Sequence, residues 1–363
     1  MTPLDRLFLD RAFELAARGV GSTAPNPAVG SVIARDARVL GEGYHHRAGE
    51  AHAEVNALAD AVDARGATAY VTLEPCNHVG RTPACSRALI DAGVTRVVVG
   101  TVDPNPKTNG GGIEALRAAG ITVELVEDSR ARSLIEPFAF AVTHDRPFVA
   151  LKMAMSLDGR ITSRPGVQEW VTSDEERLFV RDLRIGYDAV MVGAGTVRVD
   201  DPQLTVRPAS HRLRPYKRII ACETDTVDAS SRAFAELPDY ARTIVLAPAG
   251  ARDRFHNLDG VADVLFVGGP DDTVLDLRAS MLALRDFGVQ SILCEGGPTL
   301  GARLIAAGVV DRLYWAIAPV LLTTPEAVPV LAGADLATLG RRVAFDKIET
   351  VGPDVMLTGK FDV

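Results

Sequence analysis

The apolar residues near the amino terminus recur at the spacing of one helical face, over residues 4–15. Thr2, Pro3 and Asp5 supply an N-cap, a proline for the first turn and a capping acid, so a helix is predicted there that ends at Gly19. Shorter apolar runs follow, separated by turn residues. They predict strands over 29–34, 38–43, 69–73, 96–101 and 122–126, and helices over 51–64, 83–91 and 113–119.

The segment 127–146 is charged, is interrupted by Pro137 and breaks this rhythm. We place a domain boundary in it, which gives domains 1–145 and 146–363. A second alternating pattern follows, with helices after Thr172, near Asp272 and at Pro298, and with strands over 148–154, 189–192, 218–221, 243–246, 264–267, 291–294, 312–318, 343–350 and 355–361. Strands alternating with helices predict βαβ crossovers, so both domains are expected to be α/β, the first with three layers.

Composition narrows the class of protein. A chain of 363 residues with 47% hydrophobic and 24% charged residues can bury two cores. Its net charge of −8 leaves no broad basic surface for a nucleic acid. No apolar run is long enough to span a membrane and no signal segment opens the chain, so we expect a cytoplasmic protein. The four cysteines are too few for a disulfide framework, which leaves metal binding or catalysis open for Cys76 and Cys85, and a buried core position for Cys222 and Cys294.

One group of residues has the composition of a zinc site. His52 begins a predicted helix, and Cys76 and Cys85 follow the next predicted strand. One imidazole and two thiolates leave a fourth position on zinc for water, whose pKa the metal lowers towards about 7. Glu54 is close enough to that position to carry protons, which is the arrangement of zinc nucleobase deaminases. The spacing differs from their general pattern, because eight residues separate Cys76 from Cys85 instead of two.

A structural zinc site is the alternative interpretation. His78 lies between the two cysteines, so His52, Cys76, His78 and Cys85 could close a four-ligand site. Such a site would have no use for Glu54, and ligands at Cys76 and His78 would be tightly spaced. A polynucleotide-editing deaminase is a further alternative, against which the acidic balance and the lack of a basic, aromatic face argue.

The segments 24–30, 43–45 and 75–85, the last with its long insertion between the cysteines, resemble the bifunctional riboflavin-biosynthesis deaminase-reductases of bacteria. The resemblance continues through 156–160, 170–173, 193–197, 200–202, 204–207 and 295–300 and so covers nearly the whole chain. It implies a cytidine-deaminase-like domain followed by a dihydrofolate-reductase-like domain. The implied reactions are removal of an amino group from a diaminopyrimidinone ribosyl phosphate and then reduction of the ribosyl group to ribityl with NADPH.

In the first domain, the resemblance implies that His52, Cys76 and Cys85 hold zinc and that Glu54 is the catalytic proton shuttle. It implies substrate contacts by Asn26, His45, His78 and Arg81. An arginine at position 81 also suits a phosphate on physical grounds.

In the second domain, the resemblance adds to what the glycines indicate. Gly193-Ala194-Gly195-Thr196 and Glu295-Gly296-Gly297-Pro298 each stand between a strand and a helix, where backbone N–H groups can approach a pyrophosphate. Lys152 is unusual among apolar strand neighbours and, with Glu295, is assigned a catalytic role. The implied substrate contacts are Gln168, Arg184, Leu204, Arg207 and Glu295, and the implied NADPH contacts are Ala154, Trp170, Thr196, Asp200, Gly297, Pro298, Thr299, Leu300, Gly301, Ala302 and Arg303.

The leading hypothesis is therefore a two-step enzyme that uses zinc and NADPH. A single-activity zinc deaminase, whose second domain only binds nucleotide or dimerises, is the main alternative. The expected partner is a small pyrimidine ribosyl phosphate, with no nucleic acid and no membrane. The resemblance also implies a homo-oligomer, either a dimer or a tetramer.

Overall fold

The computed structural model describes residues 1–77, 84–106, 108, 111–206, 215–223, 226–333 and 342–362. The chain forms two compact units, Met1–His144 and Asp145–Val363. Among the described residues, no helix combines the length and the apolar character needed to cross a membrane.

The first unit contains a five-stranded sheet and six helices among its described residues. In chain order these are α1 (Pro3–Ala17), β1 (Gly30–Arg35), β2 (Arg38–Tyr44), α2 (Ala53–Asp60), β3 (Thr68–Val71), α3 (Cys85–Asp91), β4 (Arg96–Val99), α4 (Gly111–Ala118), β5 (Thr122–Leu125), α5 (Ser129–Leu134) and α6 (Glu136–Thr143).

The five strands lie in the order β2-β1-β3-β4-β5. Strand β1 is antiparallel to β2 and β3, and β3, β4 and β5 are parallel. Side chains of successive strand residues point to opposite faces. Val32 accordingly packs with Phe8 and Leu9 of α1, whereas Ile33 packs with Ala57 of α2 and residues of α3 and α4. The unit is thus a three-layer α/β/α domain, as predicted.

A buried carboxylate joins α1 to the sheet. Thr2 and Asp5 form the predicted capping box, and Asp5 also accepts hydrogen bonds from the Tyr70 hydroxyl at 2.8 Å and from Arg96 Nη1 at 2.6 Å. Arg96 in turn contacts Glu124 at 2.6 Å. The hydrogen bonds from Arg96 hold the pKa of Asp5 well below its usual range. The ionised carboxylate therefore stabilises the folded unit.

This link predicts a pH-dependent stability. A carboxylate whose pKa is lower in the folded than in the unfolded protein stabilises the fold fully at pH values above its unfolded-state pKa of about 4. This stabilisation is lost as the pH falls through the folded-state pKa. We expect Asp5→Asn to lower the free energy of unfolding by about 2 kcal/mol near neutral pH, and the difference from the unaltered protein to shrink below about pH 4. Urea denaturation followed by circular dichroism at several pH values measures it. Asp91→Asn, at an exposed ion pair with Arg87, is the matched control and should change stability by less than about 1 kcal/mol. A pH-independent difference for Asp5→Asn would contradict the role of its charge.

The second unit contains a larger sheet. Its helices and strands are β6 (Phe148–Ser156), β7 (Arg160–Thr162), α7 (Asp174–Ile185), β8 (Ala189–Gly193), α8 (Ala194–Asp200), β9 (Lys217–Ala221), β10 (Ile244–Pro248), β11 (Asp263–Val267), α9 (Leu277–Asp286), β12 (Ser291–Cys294), α10 (Pro298–Ala306), β13 (Arg312–Ala318), β14 (Val328–Pro329), β15 (Val343–Val351) and β16 (Asp354–Phe361).

Nine of these strands form one sheet in the order β11-β10-β9-β8-β12-β6-β13-β16-β15. The strands from β11 to β13 in this order are parallel, and β16 and β15 extend the sheet in antiparallel fashion. One apolar core lies between the sheet and α9 and α10, and a second covers the opposite face. Cys222 and Cys294 are buried in these cores, as expected.

Several element boundaries differ from the prediction. The segment 127–146 contains α5 and α6, because Pro137 lies in the first turn of α6, where a missing N–H costs no hydrogen bond. The helix expected near Asp272 begins at Leu277, since Asp276 caps it by accepting hydrogen bonds from the N–H groups of Arg278 and Ala279. Helix α2 is shorter than predicted and ends at Asp60. The short strands β7 and β14 were not predicted from the sequence, whereas α8 begins at the strand-to-helix turn expected at Gly193.

Candidate functional site

The predicted metal ligands converge at one end of the first unit's sheet. His52 is the N-cap residue of α2, Cys76 follows β3, and Cys85 is the first residue of α3. His52 Nδ1 lies 3.6 Å from Cys76 Sγ and 3.2 Å from Cys85 Sγ. The three ligand atoms all lie within 4.8 Å of one another. An imidazole and two thiols at this separation are a donor set that fits zinc.

Backbone groups hold the two cysteines in place. The Cys85 N–H donates to Cys76 Sγ at 3.4 Å, and the Ser86 N–H donates to the Cys76 carbonyl at 3.1 Å. The Ser86 hydroxyl donates to Asn77 Oδ1 at 2.8 Å. Hydrogen bonding with the Cys85 thiol, and with His52, lowers the pKa of Cys76 to about 4. Cys76 is therefore poised as a thiolate, the form that binds a metal.

Glu54 lies in the first turn of α2, two residues after His52, and its side chain is buried. Burial raises the pKa of Glu54 to about 7. A carboxyl group with this pKa can accept and release protons near neutral pH. Its position beside the ligand set suits the predicted proton shuttle.

Asn26 and His45 lie next to these groups. Asn26 Nδ2 is 3.0 Å from His45 Nε2, and the His45 and His52 rings are 5.1 Å apart in an edge-on arrangement. Burial lowers the pKa of His45, so its imidazole is neutral. His45 Nδ1 lies 3.1 Å from the Ala51 carbonyl and must donate to it, which leaves Nε2 to accept from Asn26. The other two residues predicted to contact the first substrate, His78 and Arg81, lie outside the described residues.

The sequence analysis missed Glu74. This buried carboxylate accepts hydrogen bonds from the backbone N–H groups of Gly112 at 2.9 Å and Ile113 at 3.1 Å, at the start of α4, and from the N–H of Asp103 at 3.1 Å. A side chain at Gly112 would collide with the Pro75 carbonyl. Glu74 thus fixes the backbone that leads into Cys76. The signal was an acidic residue between an apolar strand and Pro75-Cys76.

The second unit contains a cavity of about 730 Å³ along β6 and at the carboxyl ends of β8 and β12. Most residues predicted for the reductase reaction line it, namely Lys152, Ala154, Gln168, Trp170, Arg184, Thr196, Asp200, Leu204, Glu295, Gly297, Pro298, Thr299 and Leu300. Arg207 lies outside the described residues.

Three predicted NADPH contacts do not line the cavity. Gly301 and Ala302 are buried in α10, and Arg303 contacts Glu223 and donates to the Leu275 carbonyl at 2.7 Å. Side chains along a helix point in different directions, so only the first turn of α10 reaches the cavity. Contacts of Gly301, Ala302 and Arg303 with NADPH stay predictions, and these residues lie beyond the part of α10 that lines the cavity.

Glu295 and Arg184 form a two-pronged ion pair at the cavity wall. Arg184 Nε and Nη2 donate to Glu295 at 2.6 and 2.8 Å, and Nη1 donates to the Thr205 carbonyl at 2.7 Å. Burial alone would raise the pKa of Glu295, but Arg184 outweighs it and the pKa is lowered. Glu295 is therefore an ionised carboxylate.

The two glycine-containing turns lie side by side. Gly193 and Gly297 are the N-cap residues of α8 and α10, and a Cβ at Gly297 would lie 3.7 Å from Thr196 Oγ1. The first turns of α8 and α10 therefore lie close together at the cavity wall, and the first N–H groups of a helix have no partner within that helix. This arrangement fits the pyrophosphate of a dinucleotide.

Two models of known protein families match the chain, one within each of its two units. The model described as "Cytidine and deoxycytidylate deaminase zinc-binding region" matches residues 3–101, and that described as "RibD C-terminal domain" matches residues 147–357. The chain belongs to the RibD family. The riboflavin biosynthesis protein RibD of Escherichia coli (strain K12) is 38% identical, with 97% of this chain and 98% of that protein covered.

Solved structures of family members share the whole fold. The Acinetobacter baumannii RibD structure (form 1) has a TM-score of 0.84 at 34% identity and covers 99% of both chains. The structure of a diaminohydroxyphosphoribosylaminopyrimidine deaminase/5-amino-6-(5-phosphoribosylamino)uracil reductase from Thermotoga maritima has a TM-score of 0.83 at 32% identity, again with 99% of both chains covered.

Family membership confirms the predicted fold and class of enzyme. This RibD family member is a bifunctional enzyme of riboflavin biosynthesis, with a zinc-dependent deaminase domain and an NADPH-dependent reductase domain.

Proposed function

We propose that the first unit hydrolytically deaminates 2,5-diamino-6-(ribosylamino)-4(3H)-pyrimidinone 5′-phosphate, and that the second unit then reduces the ribosyl group of the product to ribityl. The observation that carries the first step is a buried Glu54 beside the convergent His52, Cys76 and Cys85. The order of steps comes from the family resemblance, and the substrate from the resemblance together with the two activities for which the Thermotoga maritima relative is named.

In the deaminase step, His52, Cys76 and Cys85 hold the metal. Zinc, when bound, lowers the pKa of a water molecule so that it is nucleophilic at neutral pH. Glu54 accepts a proton from the attacking water and donates it to the ring nitrogen. It then takes the second proton from the hydroxyl group added to the ring carbon and passes it to the leaving amine. A carbon–oxygen bond replaces the carbon–nitrogen bond, and ammonia leaves. The pKa of Glu54, raised to about 7, supports both directions of proton transfer.

Recognition of the pyrimidine and its ribose phosphate is assigned to Asn26, His45, His78 and Arg81, with Arg81 suited to the phosphate. The His45 ring is fixed through the Ala51 carbonyl and Asn26, so the pair presents hydrogen-bonding groups in a fixed orientation. This prearrangement reduces the entropy lost when substrate binds.

In the reductase step, NADPH supplies the hydride that reduces the anomeric carbon of the opened ribosyl group. We assign the cofactor to the glycine turns of α8 and α10, with Ala154, Trp170, Thr196 and Asp200 along the cavity. Lys152 donates a hydrogen bond or proton to the group being reduced. Glu295 orients the sugar hydroxyls, supported by Arg184, while Gln168 and Leu204 border the same space.

The alternative of a second unit that only binds nucleotide or dimerises is not favoured. A cavity lined by Lys152, Asp200 and Glu295 presents ionisable groups that binding alone does not need. We also propose a cytoplasmic location, which suits the few cysteines of the chain, all of them reduced, and a dimer or tetramer, which rests on the resemblance.

The experiment that tests the proposal is mass spectrometry of the products formed from the diamino substrate by zinc-loaded protein, with and without NADPH. We expect exchange of NH for O without NADPH, followed by a gain of two hydrogens when NADPH is added. Exchange alone in both samples would contradict the reductase assignment. No change in either sample, with folded and zinc-loaded protein, would contradict the substrate assignment.

A further inference from the structure

A buried ion pair lies at the wall of the reductase cavity and involves a residue that the proposed mechanism does not use. Lys152, on β6, lies with Nζ 2.8 Å from Oε1 of Glu176, on α7. The side chain of Lys152 is 13% exposed and that of Glu176 only 1%. Both residues line the cavity.

Glu176 is itself held by a second contact. The hydroxyl of Thr172 donates to Glu176 Oε2 at 2.8 Å, and Thr172 is also buried. Thr172 stands directly before Ser173, the N-cap of α7, whose hydroxyl accepts from the Glu176 N–H and donates to Asp354. Oε2 of Glu176 therefore accepts a hydrogen bond from Thr172, and Oε1 forms the ion pair with Lys152. The backbone of Glu176 is held by the N-cap of α7.

Fold stability alone does not account for this pair. Burying a carboxylate and an ammonium costs several kcal/mol per ion, and apolar residues of similar volume often serve stability as well or better. The pair lies at the site where the hydride acceptor must bind under the proposed function. We therefore expect the reason for this ion pair to lie in the reduction reaction.

The charges continue along the cavity wall. The positive charge of Lys152 contributes to the lowered pKa of Glu295, and Glu295 is paired with Arg184. The order Glu176, Lys152, Glu295, Arg184 alternates in sign. Lys152 therefore has a carboxylate on one side at contact distance and a second, separately anchored carboxylate in its surroundings.

We propose that Glu176, oriented by Thr172, is a positioning residue that fixes the Lys152 ammonium in the reductase site. The inference rests on the proposed reductase function and assigns Lys152 a specific role. An ammonium paired with a buried carboxylate donates hydrogen bonds and has no free electron pair, so it does not attack the sugar as an amine nucleophile. Glu176 acts only through Lys152 and touches neither reactant in this account.

The test compares four variants in the full-length, zinc-loaded protein. Glu176→Gln removes the charge at nearly constant side-chain volume. Thr172→Val removes the hydroxyl that orients Glu176, whereas Thr172→Ser keeps a hydroxyl at this position. Glu175→Gln, at the exposed neighbouring position on α7, is the matched control. The deaminated substrate is supplied directly, and kcat and KM for reduction are measured, along with NADPH affinity by its fluorescence. The deamination rate of each preparation is the internal control for folded protein.

We expect Glu176→Gln to lower kcat for reduction about 10- to 100-fold, the range for a misplaced catalytic group. KM for NADPH should stay within about 2-fold, because Glu176 leaves the glycine turns untouched. Thr172→Val should lower kcat in the same direction by a smaller factor, whereas Thr172→Ser and Glu175→Gln should match the unaltered protein.

Two outcomes would overturn the inference. One is an unchanged kcat for Glu176→Gln, and the other is an equal loss in Thr172→Ser and Thr172→Val, which would assign the effect to packing. Absence of reduction by the unaltered protein would instead contradict the proposed function, so the two failures are distinguishable.

Discussion

Glu54→Gln is expected to lower the deamination rate by about 10³-fold while leaving the zinc content and the reductase rate unchanged. The amide has nearly the same shape but cannot shuttle protons, and a positioned general acid–base group contributes about 10²- to 10⁴-fold. His52, Cys76 and Cys85 stay in place, so the metal should stay bound. Product analysis and zinc quantification on the same preparation measure both effects.

The control for this variant is Glu50→Gln, which changes an exposed carboxylate paired with Arg47 just before the same helix. It should deaminate at the normal rate. Loss of zinc from Glu54→Gln would indicate a structural role for the carboxyl group, and a normal deamination rate would remove it from the mechanism.

Lys152→Met is expected to lower the rate of reduction by about 10³-fold and to destabilise the second unit by about 3 kcal/mol. The rate falls because the ammonium is lost, and the stability falls because Glu176 is left as a buried, uncompensated charge. Urea denaturation followed by tryptophan fluorescence reports on this unit alone, since the chain's two tryptophans, Trp170 and Trp315, both belong to it.

The double variant Lys152→Met/Glu176→Gln separates the two effects. It removes both charges, so most of the lost free energy of unfolding should be recovered while the rate of reduction stays about 10³-fold low. A double variant that regained the reduction rate would show that Lys152 has no chemical role. If Lys152→Met were as stable as the unaltered protein, the result would contradict a buried, uncompensated charge on Glu176.

The metal centre was predictable because its residues are close in sequence and carry specific chemistry. His52 and Glu54 lie two residues apart at the start of α2, and Cys76 follows β3 while Cys85 begins α3, so only the order of neighbouring strands was needed to bring them together. The strand pattern was predictable for the same local reason. Parallel strands such as β8 are continuous apolar runs, and β8 lies between the charged Asp188 and its own terminal Gly193.

The contacts that hold the site residues in place were not predictable from the sequence, because the partners are set by sheet order and helix packing. Glu74 contacts backbone N–H groups 38 and 39 positions away, and Arg184 and Glu295 are 111 positions apart. Glu176 is one of three acidic residues in the first turn of α7, and nothing in the sequence distinguishes it from Asp174 and Glu175, which are exposed.

The resemblance-based assignments were least specific within helices. The stretch from Gly297 to Arg303 was treated as one set of contacts, whereas the cavity is lined only as far as Leu300. A helix turns its residues away from a ligand within one turn, and the sequence does not say where that happens.

Under the proposed function, two separate sites act in a fixed order. The most direct test incubates Glu54→Gln protein and NADPH with either the diamino substrate or its deaminated product. Mass spectrometry follows the gain of two hydrogens. We predict no change of the diamino substrate and normal reduction of the deaminated compound. Reduction of the diamino substrate would contradict the order of steps, and failure to reduce the deaminated compound would contradict the independence of the two sites.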